Sequence, residues 1–381
     1  LEFDWSPEDN AHRAEIKAFL KEVLPANWDE MSSHGPGSDV QAHYSREFCA
    51  KMAERGWLTQ QWPKEYGGKE TTPWRHAVVG EEMWAIGEPR GSQYMNINWV
   101  GPAIMKYGSE IQKALHLPLI SSGQVLWCQG FSEPEAGSDL AALRTRAEKI
   151  DGHYIINGSK IWTSYCRFAN YCFLLVRTDP QSKRQKGISV LLVPMNTPGI
   201  VVREIPSVVG DRYFHEVFFT DVKVPCDVLL GTENEGWEVV NTALQFERIG
   251  AARYTRASVT LDKLAEVARE RGLLDDPIIV DRLGEARALC EAARVLVYKV
   301  IDLRAKDSPP TADTQVARVL STQCDNAIGR LALDIFGAES LEYASYADSN
   351  FRLAMTAGVA VGATEVQLNL IASRFLDLPK E

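Results

Sequence analysis

Two short runs near the middle of the chain carry the residue types needed to hold a flat, polar-edged ring. Phe131-Ser132-Glu133-Pro134-Glu135-Ala136-Gly137-Ser138-Asp139 gathers hydroxyls, a Pro of fixed φ and a Gly into one turn-forming stretch. Asn157-Gly158-Ser159-Lys160-Ile161-Trp162-Thr163-Ser164 places an indole and hydroxyls at the end of an apolar, strand-like segment. Taken singly, the first run is an ordinary turn and Trp162 a core aromatic on a hairpin. Paired, they supply backbone N–H groups, hydroxyls and an aromatic wall.

A carboxylate able to move a proton stands further on, in Gln245-Phe246-Glu247-Arg248. On a helix, Glu247 shares its face with Ala243, Gly250 and Ala251, at i−4, i+3 and i+4. Three small neighbours leave a slot beside the carboxylate, and Tyr254 could form its end or side wall. The plainer alternative is a close helix crossing with Glu247 ion-paired or solvated. An unpaired Glu in an apolar slot has its pKa raised above the ~4.3 reference by desolvation. Arg248 lies about 100° around the helix from Glu247, so it is better placed for a structural or substrate contact than as partner of the base.

The rest of the chain must position these groups. Its 381 residues, 45% hydrophobic, suffice for two or three domains, or one large one, of a soluble globular protein. A formal charge of −10 with no basic stripe argues against a nucleic-acid partner. No apolar run reaches the ~18 residues of a membrane span, and Leu1-Glu2-Phe3-Asp4-Trp5 lacks a signal-peptide pattern, so a cytoplasmic location is expected. Cys49, Cys128, Cys166, Cys172, Cys226, Cys290 and Cys324 are scattered, which reads as buried free thiols rather than disulfides or a zinc site. Gly-x-Gly-x-x-Gly, a P-loop, Gly-x-Ser-x-Gly and His-Glu-x-x-His are all missing, so a dinucleotide would bind without a Rossmann turn.

Residues 1–122 read as helical, with apolar recurrence near 3.6 in His12–Val23, Ser45–Arg55, Arg75–Ala85 and Ser109–Leu117. Pro25, Pro63, Gly67-Gly68, Pro89 and Pro118 punctuate them. Residues 123–232 read as a compact β-domain. Asn157-Gly158 is expected to turn a hairpin, and Tyr171–Arg177, Ile188–Pro194, Gly199–Ile205 and His215–Val224 to follow as strands. Residues 233–381 return to long helices joined by short loops, the pattern of an antiparallel bundle.

Over nearly its whole length the chain resembles the acyl-CoA dehydrogenases, and the two central runs are similar to that family's flavin-binding signature. The resemblance implies an α+β fold with an N-terminal helical domain, a middle β-barrel-like domain and a C-terminal four-helix bundle. It also implies FAD as cofactor and an acyl-CoA thioester as substrate, oxidised to the trans-2-enoyl thioester. A carboxylate takes the Cα proton and flavin N5 the hydride from Cβ. Gln129, Phe131, Ser132 and Ser138 correspond to the loop lining the flavin ring and reaching its pyrophosphate. Ser138 also meets the substrate's pantetheine. Trp162 packs on the ring, Thr163 and Ser164 face its edge near N5, and Thr364 and Glu365 join the cofactor contacts.

In most of the family the base lies near the C-terminus, within Tyr-Glu-Gly-Thr-x-x-Ile-Gln. The matching stretch here is Ala360-Val361-Gly362-Ala363-Thr364-Glu365-Val366-Gln367, with Val361 where that Glu belongs. A subset, including isovaleryl and long-chain enzymes, carries the base in a bundle helix before Arg, which points to Glu247. Ala243, Gly250, Ala251, Tyr254 and Arg248 then become substrate contacts, in a slot compatible with a bulky acyl group. Family homotetramers also reach across to a neighbour's flavin with Arg-x-x-Phe-Gly and Gln-x-x-Gly-Gly-x-Gly. Here those places read Ala268-Arg269-Glu270-Arg271-Gly272 and Asp334-Ile335-Phe336-Gly337-Ala338-Glu339-Ser340. Carboxylates at 334 and 339 would repel a pyrophosphate. The expected partner is therefore a second acyl-CoA dehydrogenase-like chain in an α2β2 heterotetramer, similar to heteromeric actinobacterial steroid side-chain enzymes, with electron-transfer flavoprotein as acceptor. An oxidase or flavin monooxygenase on this fold, and a non-catalytic subunit, are the competing readings.

Overall fold

The computed structural model describes the chain except residues 1–4, 34–37, 209–213, 248–251, 309–310, 360–361 and 380–381, and for residues 244–247 it describes the backbone alone. The first helices are α1 (Pro7–Val23), α2 (Trp28–Ser33), α3 (Asp39–Glu54), α4 (Pro73–Ala85), α5 (Gln93–Met95), α6 (Gly101–Tyr107) and α7 (Glu110–Ser121), with a π-turn, Asn96–Val100, joining α5 to α6. Several begin earlier than the apolar periodicity suggests, because capping sets the start. Ser6 and Thr72 each accept a backbone N–H at N3 and precede a Pro at N1, whose missing N–H costs nothing there. Ser109 and Gln112 form a capping box. The break expected at Pro118 does not occur: α7 runs through it to Ser121, and the Pro118 carbonyl accepts from the Ser121 and Ser122 hydroxyls in the last turn.

Eight strands follow: β1 (Trp127–Gly130), β2 (Arg146–Ile150), β3 (His153–Ser164), β4 (Tyr171–Arg177), β5 (Ile188–Pro194), β6 (Ile200–Ile205), β7 (Phe214–Pro225) and β8 (Leu229–Leu230). They form one sheet in the order β6-β7-β3-β2-β4-β5-β8, with β1 parallel to β4. β4 and β5 are apolar at every position between their end residues except the buried Ser189, because both faces are covered. Phe173, Leu175, Val190 and Leu192 enter a core shared with Trp62, Trp99 and Val100. Cys172, Leu174, Leu191 and Val193 enter a second core with Tyr154, Ile156, Val217 and Val222.

The hairpin expected at Asn157-Gly158 is not there. The turn is Asp151-Gly152, both at positive φ (46° and 74°), between Ile150 and His153, which pair directly. Asn157 and Gly158 lie inside β3, where the pairing with β7 slips by one residue. The Asn157 amide and Asp221 exchange hydrogen bonds of 3.0 and 2.9 Å across that irregularity. A residue tolerant of unusual φ serves a bulge as well as a turn.

The chain ends in α8 (Gly236–Glu247), α9 (Arg253–Glu270), α10 (Pro277–Ala305), α11 (Asp313–Phe336), α12 (Tyr346–Thr356) and α13 (Thr364–Phe375). Two compact units result, one of Leu1–Ser33, Thr71–Glu88 and Arg248–Glu381, the other of His34–Glu70 and Pro89–Glu247. The first holds the bundle, whose core includes Leu261, Leu264, Cys290, Cys324 and Leu331. The second holds the sheet, α3, α5 to α7 and α8. All seven cysteines are free thiols, and among the described residues no helix is long and apolar enough to cross a membrane.

Candidate active site

The two central runs fold into one device within the sheet-containing unit. β1 leaves the sheet at Gly130, where a Cβ would fall 2.6 Å from Leu174 and 2.8 Å from the Cys172 sulfur. The following loop closes on itself through paired backbone bonds between Glu133 and Ala136, of 3.1 and 3.0 Å. It is fixed to β3 at two levels. The Ile161 N–H donates to the Ser132 carbonyl (2.8 Å), and Lys160 Nζ donates to the Phe131 carbonyl (3.1 Å) and to Glu133 Oε1 (2.7 Å). Glu133 also accepts the N–H groups of Arg144 (2.6 Å) and Thr145 (2.9 Å).

Lys160 is fully buried, so its charge is tolerable only because a carboxylate meets it. Burial pulls the Lys160 pKa below its ordinary value, against the opposing field of Glu133. For Glu133 burial acts upward, yet Lys160 and the N–H donors outweigh it and the carboxyl sits below its usual range.

A second irregularity in β3 aims Trp162. Lys160 pairs with Val217 and Thr163 with His215, so Ile161 and Trp162 together oppose Glu216 alone. Simple alternation would turn Trp162 inward with Lys160. The extra residue turns it out instead, 55% exposed, while Thr163 takes the buried side. The bulge holds Trp162 at φ 59°, a region a bulky L-residue adopts only under constraint. Its indole stands edge-on to Phe214, centroids 6.0 Å apart.

Of the other expected contacts, Phe131 is half-buried and tilts against Phe173 at 6.0 Å. Ser132 and Ser164 are half-buried and Ser138 is exposed on the loop. The Gln129 amide nitrogen and the Thr163 hydroxyl are buried without a hydrogen-bond partner. Unpaired buried donors of this kind are costly unless a ligand meets them. An amide N–H2 next to the hydroxyl-bearing loop fits the carbonyl and nitrogen edge of a flavin.

α8 packs in the same unit as this device. It starts hard against β5, since a Cβ on Gly236 would lie 2.7 Å from the Ser189 backbone. Tyr107 holds it from α6, with its hydroxyl 3.0 Å from Glu238 and 2.8 Å from Thr242. Val239, Val240 and Ala243 are buried in the same apolar cluster against which Phe131 packs. Ala243 is wholly enclosed there. Glu247 is the last residue of α8, one turn beyond Ala243. Its side chain, and Arg248, Gly250 and Ala251, lie outside the described residues, as does Val361.

The remaining expected residues belong to the bundle-containing unit. Tyr254 is buried, its hydroxyl bonded to Glu81, which also accepts from Tyr298 (2.9 Å) and Arg13 (2.6 Å). Ala252 meets Gly80 of α4 at 3.6 Å from a built Cβ, the close crossing that small residues permit. Thr364 opens α13 with its N–H on the Gly358 carbonyl (2.9 Å), and Glu365 is exposed.

The Lys160–Glu133 pair was not foreseen. Its signal was available: Tyr154, Ile156 and Lys160 share one parity along β3, and a Lys in register with core residues needs a buried partner. Phe214 beside Trp162 had no such signal, because the contact depends on the bulge.

Models of the N-terminal, middle and C-terminal domains of acyl-CoA dehydrogenases match residues 6–124, 128–222 and 234–376. The chain belongs to the acyl-CoA dehydrogenase family, oxidoreductases that generally bind FAD, and has its α+β fold. It is 32% identical over 381 residues to the acyl-CoA dehydrogenase IpdE1 of Mycobacterium tuberculosis, covering 97% of each chain. Among solved structures, the Tcur3481-Tcur3483 steroid ACAD superposes with a TM-score of 0.92 at 31% identity over 100% of both chains. The ChsE4-ChsE5 complex from Mycobacterium tuberculosis gives 0.89 at 29% identity, again over 100% of both.

Proposed function

We propose that this chain binds FAD and dehydrogenates an acyl-CoA thioester between Cα and Cβ, with Glu247 as the base. The observation that carries the reading is the shared apolar cluster: Phe131 of the flavin loop and Ala243 of α8 pack in one core, one helical turn before Glu247. Bound FAD supplies the hydride acceptor. Gln129, Phe131, Ser132, Trp162, Thr163 and Ser164 hold and orient its ring, with Thr364 and Glu365 of α13 as further contacts. Ser138 meets the pyrophosphate and the pantetheine arm. Glu247 takes the Cα proton, and Arg248 lies on the thioester side.

The substrate is a bulky acyl group, a steroid side chain being the leading case, and the assembly is a heterotetramer with a second acyl-CoA dehydrogenase-like chain, passing electrons to electron-transfer flavoprotein. Support comes from the similarity to steroid ACAD and two-chain structures and from Asp334 and Glu339, which stand where a neighbour's pyrophosphate would be cradled. The deciding experiment presents CoA thioesters of straight, branched and polycyclic acids to the purified oligomer and follows flavin bleaching anaerobically. Bleaching by polycyclic thioesters is expected; none with any thioester would defeat the reading.

A further inference from the structure

Lys160 and Glu133 do more than fill buried space beside β3. The Phe131 carbonyl and the Ser132 N–H belong to one planar trans peptide and point in opposite directions. Lys160 Nζ donates to that carbonyl at 3.1 Å from the buried side, so the Ser132 N–H faces away from that side. The next peptide is fixed likewise: Ile161 donates to the Ser132 carbonyl, and the Glu133 N–H is spent on Ala136. Among the described residues the Ser132 N–H meets no acceptor. Glu133 keeps Lys160 in place, and its second oxygen is anchored by the Arg144 N–H.

We infer that Lys160, steadied by Glu133, is a positioning residue that locks the Phe131–Ser132 peptide so that the Ser132 N–H is presented outward as a fixed donor to the flavin edge. The inference rests on the flavin-site reading. Lys160 touches neither cofactor nor substrate: it acts through one carbonyl. A preset donor spares the loop the cost of ordering when the ring arrives.

Two uncharged double variants isolate that carbonyl contact from the buried charges. Lys160→Gln with Glu133→Gln keeps a donor at position 160, whereas Lys160→Met with Glu133→Gln does not. FAD is titrated into each flavin-stripped full chain, in the oligomer in which it purifies, and thermal unfolding is recorded without flavin. The Met-bearing pair is expected to bind FAD about tenfold more weakly than the Gln-bearing pair at matching melting temperatures. Equal affinities, or a loss of affinity matched by lower melting, overturns the inference. Amide exchange in the unsubstituted protein gives a second measure if the Met-bearing pair fails to fold: FAD should slow exchange at Ser132, and unchanged exchange also overturns it. Should the unsubstituted protein take up no FAD even when co-expressed with a related second chain, the flavin reading itself fails, and this inference with it.

Discussion

Arg271 Nη2 lies 2.6 Å from Glu339 Oε2, with the guanidinium also 4.7 Å over the Phe336 ring. One turn earlier on α11, Asp334 is paired with Arg282 in the same way. The two carboxylates at the places for which the family resemblance implies a pyrophosphate cradle are therefore both ion-paired. Each is held by an arginine of its own chain. The charges of each exposed pair offset one another, and a carboxylate stays at each place.

Purified by itself, the chain is thus expected to carry well under one flavin per subunit, and to gain flavin when a related second chain is co-expressed. Absorbance at the flavin band against protein concentration reads this directly. A homotetramer with one flavin in every subunit would contradict the two-chain assembly.

Glu247→Gln preserves size and removes only the capacity to accept a proton. Turnover is expected to fall by about 10²–10⁴-fold, the range of general-base contributions, with the flavin spectrum and FAD content unchanged. Near-normal turnover would move the base elsewhere.

Trp162 joins a strained backbone to the flavin contact proposed for it. Its left-handed backbone costs roughly 1–3 kcal/mol for a bulky residue, while glycine adopts that region freely. The half-exposed indole returns little packing energy to the fold. Trp162→Gly should leave flavin-free stability within about 1 kcal/mol of the parent and weaken FAD binding by roughly threefold to tenfold, the worth of an aromatic contact. Denaturant midpoints and FAD titration separate the two; a large stability loss would show the indole to be a structural prop.

How much of this was legible beforehand follows from which interactions are local. β4 and β5 begin and end where their Val, Ile and Leu runs predict, because a strand buried on both faces needs an unbroken apolar run. Bulges are not local: Ile161 and Trp162 are two residues against one only in the presence of β7. Asn157-Gly158 misled for the same reason, since the dipeptide states a backbone tolerance and not whether a turn or a bulge uses it. Glu247 was reached by elimination at Val361 and by resemblance, and helical spacing alone placed it one turn past Ala243.

Glu133 ties the flavin loop to acid stability. Its carboxyl pKa is lower in the fold than the ordinary 4.5, so its contribution is complete above about that pH and is lost as pH falls through the folded value. Glu133→Gln strands the buried Lys160 ammonium and should cost roughly 3 kcal/mol at neutral pH. The gap between parent and variant is expected to narrow as denaturant midpoints are followed from pH 7 toward pH 3. A gap independent of pH would mean that Glu133 is not ionised in the fold.

Tyr254 allows a choice between a pocket wall and a structural bond. It is 4% exposed and shares the Glu81 carboxylate with Tyr298 and Arg13. Removing one hydroxyl leaves the carboxylate two donors, so Tyr254→Phe should cost only about 1–2 kcal/mol. Glu81→Leu strands two hydroxyls and leaves Arg13 with Glu82 as its remaining carboxylate, and should cost about 3 kcal/mol. Because the tyrosine spends its hydroxyl on Glu81, its loss should lower the melting temperature and leave KM unchanged. If KM for the acyl thioester rises while melting is unaffected, Tyr254 lines the substrate slot after all, and the network around Glu81 is secondary to it.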